Sequence, residues 1–130
     1  MNEKVLVQKA IEAQKNSYSP YSGFSVGAAL LCTDGEVFTG VNVENVSFGL
    51  TNCAERTAFF KAISEGKRNF EAIAIVGGDT FLPPCGACRQ VMAEFCDEKF
   101  RVIFAKNEND YIVKTLGEIL PFSFSEVDMK

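Results

Sequence analysis

Apolar positions recur at helical spacing near the start of the chain. Leu6, Ala10 and Ala13 fall on one stripe, with Val7 and Ile11 beside it, which predicts a helix over residues 3–16. Residues 17–23, Ser-Tyr-Ser-Pro-Tyr-Ser-Gly, end it with turn formers. Residues 25–32 are a short, mostly apolar run without helical stops, the pattern of a buried strand. The glycine and alanines within it predict a close neighbour. Thr33-Asp34-Gly35 signals a hairpin. Residues 36–44 then alternate: Val37, Thr39, Val41 and Val43 share one face, and Phe38, Gly40, Asn42 and Glu44 the other. Asn42 and Glu44 thus stand one pleat apart. Two readings fit: a solvated edge face, or a pair of hydrogen-bonding groups suited to vicinal hydroxyls.

The polar stretch 45–52 contains the cap formers Ser47, Thr51 and Asn52. A helix over residues 53–65 follows, with Ala58, Phe59, Ala62 and Ile63 as its core stripe and Gly66 as its stop. Residues 70–76 read as a strand, 86–96 as a helix with Ala87, Val91 and Phe95 inward, and 100–105 and 111–114 as strands. Residues 115–120 form a short helix, and an aromatic tail carries Phe122 and Phe124. Strand, helix, strand, helix, strand predicts an α/β fold with parallel crossovers. Only residues 106–110 separate the last two strands. A parallel return needs a dozen or more residues, so that pair is expected to be antiparallel.

A length of 130 residues predicts one domain, residues 1–130. Its 47% hydrophobic content is ordinary for a globular chain able to bury a core without metal or disulfides. A net charge of −4 and the lack of a basic run argue against nucleic acid as partner and for a small molecule. No apolar run is long enough to span a bilayer. Five cysteines, an odd number, and an N-terminus without an apolar leader predict a reduced, cytoplasmic protein. There is no histidine. That removes the commonest general base and the commonest zinc ligand together, leaving acid–base work to a carboxylate, Cys, Lys or Tyr.

The chemistry concentrates in two segments, Cys53-Ala54-Glu55-Arg56 and Pro84-Cys85-Gly86-Ala87-Cys88-Arg89. Three thiolates from Cys53, Cys85 and Cys88 leave one position of a zinc tetrahedron open, as in a catalytic rather than a structural site. Glu55 beside that opening is the acid–base group that metal-assisted hydrolysis needs. Both segments begin helices, whose free N–H groups favour thiolates over thiols. Three thiolates on one Zn²⁺ leave a surplus negative charge, which Arg56 or Arg89 would offset by hydrogen bonds to sulfur. A redox C-x-x-C and a four-cysteine structural site are the competing readings. The spare sulfurs Cys32 and Cys96 lack paired spacing and read as small buried hydrophobes.

Zinc deaminases carry H-x-E…P-C-x-x-C, with Cys allowed for His, and here the pattern is Cys53-Ala54-Glu55…Pro84-Cys85-Gly86-Ala87-Cys88. Nearly the whole chain resembles the small homotetrameric cytidine deaminases. The likeness runs through Tyr21-Ser22-Gly23-Phe24-Ser25-Val26-Gly27-Ala28-Ala29-Leu30, Asn42-Val43-Glu44-Asn45, Cys53 to Ala58, Pro84 to Gln90, and Leu120-Pro121 with Phe124. The resemblance implies a three-layer α/β/α fold with a mixed five-stranded sheet, one zinc per subunit, and hydrolytic deamination of cytidine and 2′-deoxycytidine with Glu55 as proton shuttle. It implies that Phe24 stacks on the pyrimidine, that Asn42 and Glu44 hold ribose hydroxyls, and that the Ala54 backbone meets the base. Phe124 from a neighbouring subunit would close the pocket. The antiparallel last strand pair sides with free nucleosides rather than polynucleotides. The chain departs from the family at Val46 and Phe48, where Ala and Tyr are usual, and Phe48 lacks the phenolic hydroxyl near the sugar. Rival functions are deamination of a blasticidin-type nucleoside antibiotic and a non-catalytic zinc module.

Overall fold

The computed structural model describes residues 1–124. Its elements are α1 (Glu3–Gln14), β1 (Val26–Cys32), β2 (Val37–Val41), α2 (Ala54–Ser64), β3 (Phe70–Gly77), α3 (Gly86–Phe95), β4 (Arg101–Asn107), β5 (Asp110–Thr115) and α4 (Leu116–Ile119). The five strands form one sheet in the order β2-β1-β3-β4-β5. Strand β1 runs antiparallel to both β2 and β3, while β3 and β4 are parallel. The α2 connection therefore passes over β1, and α3 joins two adjacent parallel strands. The last pair, β4 and β5, is antiparallel, as the short link requires. Both strands outrun the apolar pattern, because polar residues as far as Asn107 and Asp110 stay on the ladder. Only Glu108 and Asn109 remain for the turn, where Asn107 Oδ1 accepts the Asn109 N–H at 2.8 Å.

Alternate residues of the central strands serve opposite layers. On one side Leu6, Val7 and Ala10 of α1 pack on Ala29, Leu31, Ala72, Ala74 and Ile103. On the other, α2, α3 and α4 cover Ala28, Leu30, Ile73, Ile75, Val102 and Phe104. Phe59 anchors this second layer, with ring centroids 5.2 Å from Phe70 and 6.0 Å from Phe100. In α3 the buried positions are Cys88 and Met92, not the expected Ala87, which is exposed. The stripe is turned by one residue, so that the helix presents a thiol inward at its first turn.

Two glycines set how closely helices approach the sheet. A Cβ on Gly27 would stand 2.2 Å from the Ala10 carbonyl oxygen of α1. One on Gly40 would stand 2.3 Å from the Ala54 carbonyl oxygen and 2.5 Å from the Ala58 nitrogen of α2. Gly40 faces Ala28 across the ladder, so two minimal residues make the shelf on which the start of α2 rests. The close neighbour expected of β1 is thus α1, and the same device on β2 fixes the start of α2.

Candidate metal centre

Neither Ser47, Thr51 nor Asn52 caps α2. Thr51 Oγ1 accepts the Asn45 N–H at 3.1 Å, and Asn52 Nδ2 donates to Thr57 Oγ1 at 3.1 Å, so both brace the loop instead. The cap position belongs to Cys53, whose side chain accepts no capping bond. Cys85 caps α3, and its Sγ accepts the Cys88 N–H at 3.5 Å. A sulfur therefore stands at the electropositive start of each helix, where an anion is favoured.

The two starts converge. Cys53 Sγ lies 3.8 Å from Cys85 Sγ, which lies 3.4 Å from Cys88 Sγ, and all three sulfurs fall within 4.8 Å of one another. Sulfurs each about 2.3 Å from one tetrahedral zinc stand about 3.8 Å apart, so the spacing fits that ion, as does the all-thiolate donor set. Among the described residues no fourth His, Cys, Asp or Glu joins the group. Cys32 is buried in β1 and Cys96 sits at the far end of α3, its thiol pushed up to about 12 by burial.

Charge in the cluster is unevenly held. The Cys88 thiol and the Arg56 guanidinium hold the Cys53 thiol down to about 5, against the opposing effect of burial. Cys88 moves the other way, raised by its interaction with Cys53 and by burial. One thiolate is thus comfortable at Cys53, and ionising Cys88 beside it calls for a cation. Arg56 Nη2 donates to Cys53 Sγ at 3.3 Å, so this arginine meets a ligand sulfur rather than solvent. Its Nε is buried without a partner among the described residues. Arg89 does not reach the sulfurs; it donates to the carbonyls of Pro84 and Ile119.

Glu55, in the first turn of α2, is 5% exposed. Burial lifts its carboxyl from the usual 4.5 to about 7, with the Cys53 charge adding to the rise. A carboxyl poised there both accepts and returns a proton near neutrality.

Residues 1–105 match the family described as the cytidine and deoxycytidylate deaminase zinc-binding region. The chain belongs to this family. The cytidine deaminase of Halalkalibacterium halodurans is 53% identical over 131 residues, spanning 99% of this chain and 98% of that protein. That of Sporosarcina psychrophila is 47% identical, spanning 99% and 96%. The crystal structure of cytidine deaminase from Burkholderia pseudomallei superposes with a TM-score of 0.91 at 47% identity, covering 95% of this chain and 100% of that one. The Mycobacterium tuberculosis enzyme gives 0.85 at 40% identity, covering 95% and 98%. The sheet matches that of these deaminases, and the zinc cofactor expected from the cysteine pattern has its cradle in Cys53, Cys85 and Cys88.

Of the other expected site residues, Phe24, Asn42 and Glu44 stand in the segments that precede β1 and follow β2. Phe24 is 40% exposed, its ring lying against the backbone of Gly77 and Gly78, where added Cβ atoms would stand 3.2 and 2.8 Å from ring carbons. Asn42 is buried, not solvated: its Oδ1 accepts the Val26 N–H at 3.0 Å and the Ser17 hydroxyl, and its Nδ2 donates to the Phe24 carbonyl at 2.8 Å. Glu44 Oε1 accepts the N–H groups of Tyr21 and Ser22, each at 3.0 Å, and Oε2 accepts the Ser22 hydroxyl. These bonds, the Ser22 hydroxyl foremost, hold the Glu44 carboxyl below its usual range. Ser22 is the residue that sequence reasoning missed. Its Oγ also accepts the Phe24 N–H at 3.0 Å, so it joins Glu44 to Phe24. A cleft of about 320 Å³ opens here between Tyr21, Ser22, Glu44, Asn45, Phe48 and Thr51. Phe124 is exposed and apart from this cleft, its carbonyl accepting Gln90 Nε2 at 2.6 Å.

Proposed function

We propose that this protein hydrolyses cytidine and 2′-deoxycytidine to uridine and 2′-deoxyuridine, releasing ammonia, as an enzyme of pyrimidine salvage. The observation that carries the reading is a three-thiolate cradle with no fourth protein ligand among the described residues, set beside a buried carboxyl poised near neutrality. Cys53, Cys85 and Cys88 hold the zinc, which when bound lowers the pKa of water and so supplies a nucleophile at neutral pH.

The chain's own residues do the rest. The Glu55 carboxylate takes the proton of the attacking water and delivers it to ring N3, which makes C4 electrophilic. It then takes the second proton, from the hydroxyl now on C4, and passes it to the amino group, so that the C4–N bond breaks, ammonia leaves and C4 becomes a carbonyl. Arg56 stabilises the Cys53 sulfur as an anion. Phe24, braced by Gly77 and Gly78, offers a flat apolar wall on which the pyrimidine stacks. The Ala54 N–H, in the first turn of α2, has no partner within the helix and is a donor for the base carbonyl. Asn42 keeps one amide hydrogen and Glu44 keeps unused lone pairs, a donor and acceptors for ribose hydroxyls.

The working unit is a homotetramer in the cytoplasm. Val46, Phe48 and Leu50 crowd one exposed loop, with Phe48 79% exposed at the cleft edge, and Phe122 and Phe124 are bare on the surface. Apolar surface of this kind marks a protein interface, and a neighbouring subunit's Phe124 is what closes each pocket. All five cysteines are free, as a reducing compartment keeps them. No described helix is long and apolar enough to cross a membrane.

The test is to incubate the purified, zinc-assayed protein with cytidine and measure uridine and ammonia, before and after chelation. Equimolar products, lost on chelation and restored by zinc, are expected. Turnover of a blasticidin-type antibiotic without turnover of cytidine would overturn the substrate. RNA binding without any turnover would overturn the enzyme.

A further inference from the structure

Three consecutive residues of α3 reach three different places. Cys88 belongs to the metal cluster. Arg89 donates from Nε to the Pro84 carbonyl at 2.8 Å and from Nη1 to the Ile119 carbonyl at 2.6 Å. Gln90 Nε2 donates to the Phe124 carbonyl. Pro84 leads directly into the ligand Cys85, and Ile119 ends α4, from which the chain runs on to Phe124. One guanidinium thus spans the loop that carries a ligand and the segment that carries Phe124. Among the described residues no carboxylate pairs with Arg89, so its identified side-chain bonds there are to those two carbonyls. Bonding two carbonyls from fixed N–H groups suits the rigid fork of arginine better than the freely rotating ammonium of lysine.

We infer that Arg89 is a positioning residue that couples the metal cradle to the C-terminal segment, so that zinc loading stiffens residues 116–124. The inference rests on the zinc-site reading above. Fixing Cys85 on a metal fixes the Pro84 peptide, which holds one arm of the Arg89 fork and thereby the other. Coupling of this kind is reciprocal: a looser segment weakens the hold on zinc. In the tetramer, metal loading of one subunit would order the wall of its neighbour's pocket. An arginine that merely finished α4 would order the segment equally with and without zinc.

Amide hydrogen exchange on the full chain, metal-free and zinc-loaded, separates these cases. In the wild type, zinc slows exchange across residues 116–124 by about tenfold, the scale of an ordinary coupling. In Arg89→Lys that zinc dependence falls below about twofold, and a chromogenic chelator strips zinc about tenfold faster, as for other groups that orient metal ligands. Gln90→Ala keeps the zinc dependence near residues 116–120 and loses it towards Phe124. These results need no fold beyond the wild type's if Arg89→Lys fails to fold, because the wild-type comparison and Gln90→Ala still decide. Zinc-independent exchange of 116–124 in the wild type, or equal zinc dependence in Arg89→Lys, overturns the inference and leaves the enzyme assignment standing. A wild type that binds no zinc overturns both.

Discussion

The two faces of the sheet are covered in the same way and used differently. Against α1 and against α2, a glycine lets helix backbone settle almost onto strand backbone, Gly27 on one side and Gly40 on the other. The α1 face buries an apolar cluster of Leu6, Val7 and Ala10 on Ala29, Leu31, Ala72 and Ala74, and α1 begins conventionally, with Asn2 Oδ1 accepting the Val5 N–H at 2.9 Å. The opposite face buries Glu55, and its two long helices begin on cysteines. Burying a carboxyl and crowding three thiols both cost stability. The difference teaches where this fold trades stability for chemistry, and that the trade is confined to the first turns of α2 and α3.

The glycines give the sharpest way to break the comparison. Either Gly→Ala change forces a Cβ into helix backbone and should cost about 3 kcal/mol or more by urea unfolding. The Gly27→Ala protein that still folds should bind zinc as the wild type does, because α1 carries nothing of the site. Gly40→Ala should weaken zinc binding as well, because it displaces the helix start next to Cys53. Equal zinc affinity in the two variants would erase the distinction between the faces.

A smaller effect comes from the buried carboxyl in the metal-free protein. The Glu55 carboxyl is raised from 4.5 to about 7, so the fold prefers it protonated. Its contribution is fully present below about pH 4.5, declines as pH rises through about 7, and leaves a deficit of about 3 kcal/mol in alkali. Metal-free Glu55→Gln should therefore be more stable than metal-free wild type at pH 8, and the two should converge near pH 4. Superimposable pH–stability curves would mean that Glu55 is not desolvated.

Smaller again, Arg56→Gln removes the 3.3 Å bond to Cys53 while leaving the three ligands in place. Loss of such a partner typically costs 10–100-fold in metal affinity or activity. Chelator competition and steady-state rates should show a loss in that range, and an unchanged rate would return Arg56 to the surface.

Much of this was legible in the sequence for physical reasons. The period of Leu6, Val7 and Ala10 fixed a helix because only one face of it is buried. The short link between the last strands forced them antiparallel whatever the surroundings. Three sulfurs and no histidine pointed to an open metal site by counting ligands alone. What was not legible depends on long-range placement. Nothing local says that β1 runs between β2 and β3, because a buried strand reads the same beside any neighbour. The caps of α2 and α3 were hidden because cysteine is a poor cap by propensity and stands there for the metal. Ser22 was overlooked among three nearby serines, since only the folded loop brings it between Glu44 and Phe24. The paired Gly77-Gly78 was its one available companion signal, a place where a ring lies on bare backbone.

The central claim is that an open zinc cradle works with one carboxyl as its only proton carrier. Glu55→Gln, with zinc content and kcat for cytidine measured on the same sample, tests it most directly. The structure predicts one zinc per subunit, an unchanged fold and a kcat lowered by about 10³-fold or more, within the reach of general acid–base catalysis by one group. Turnover close to the wild type with zinc retained would contradict it.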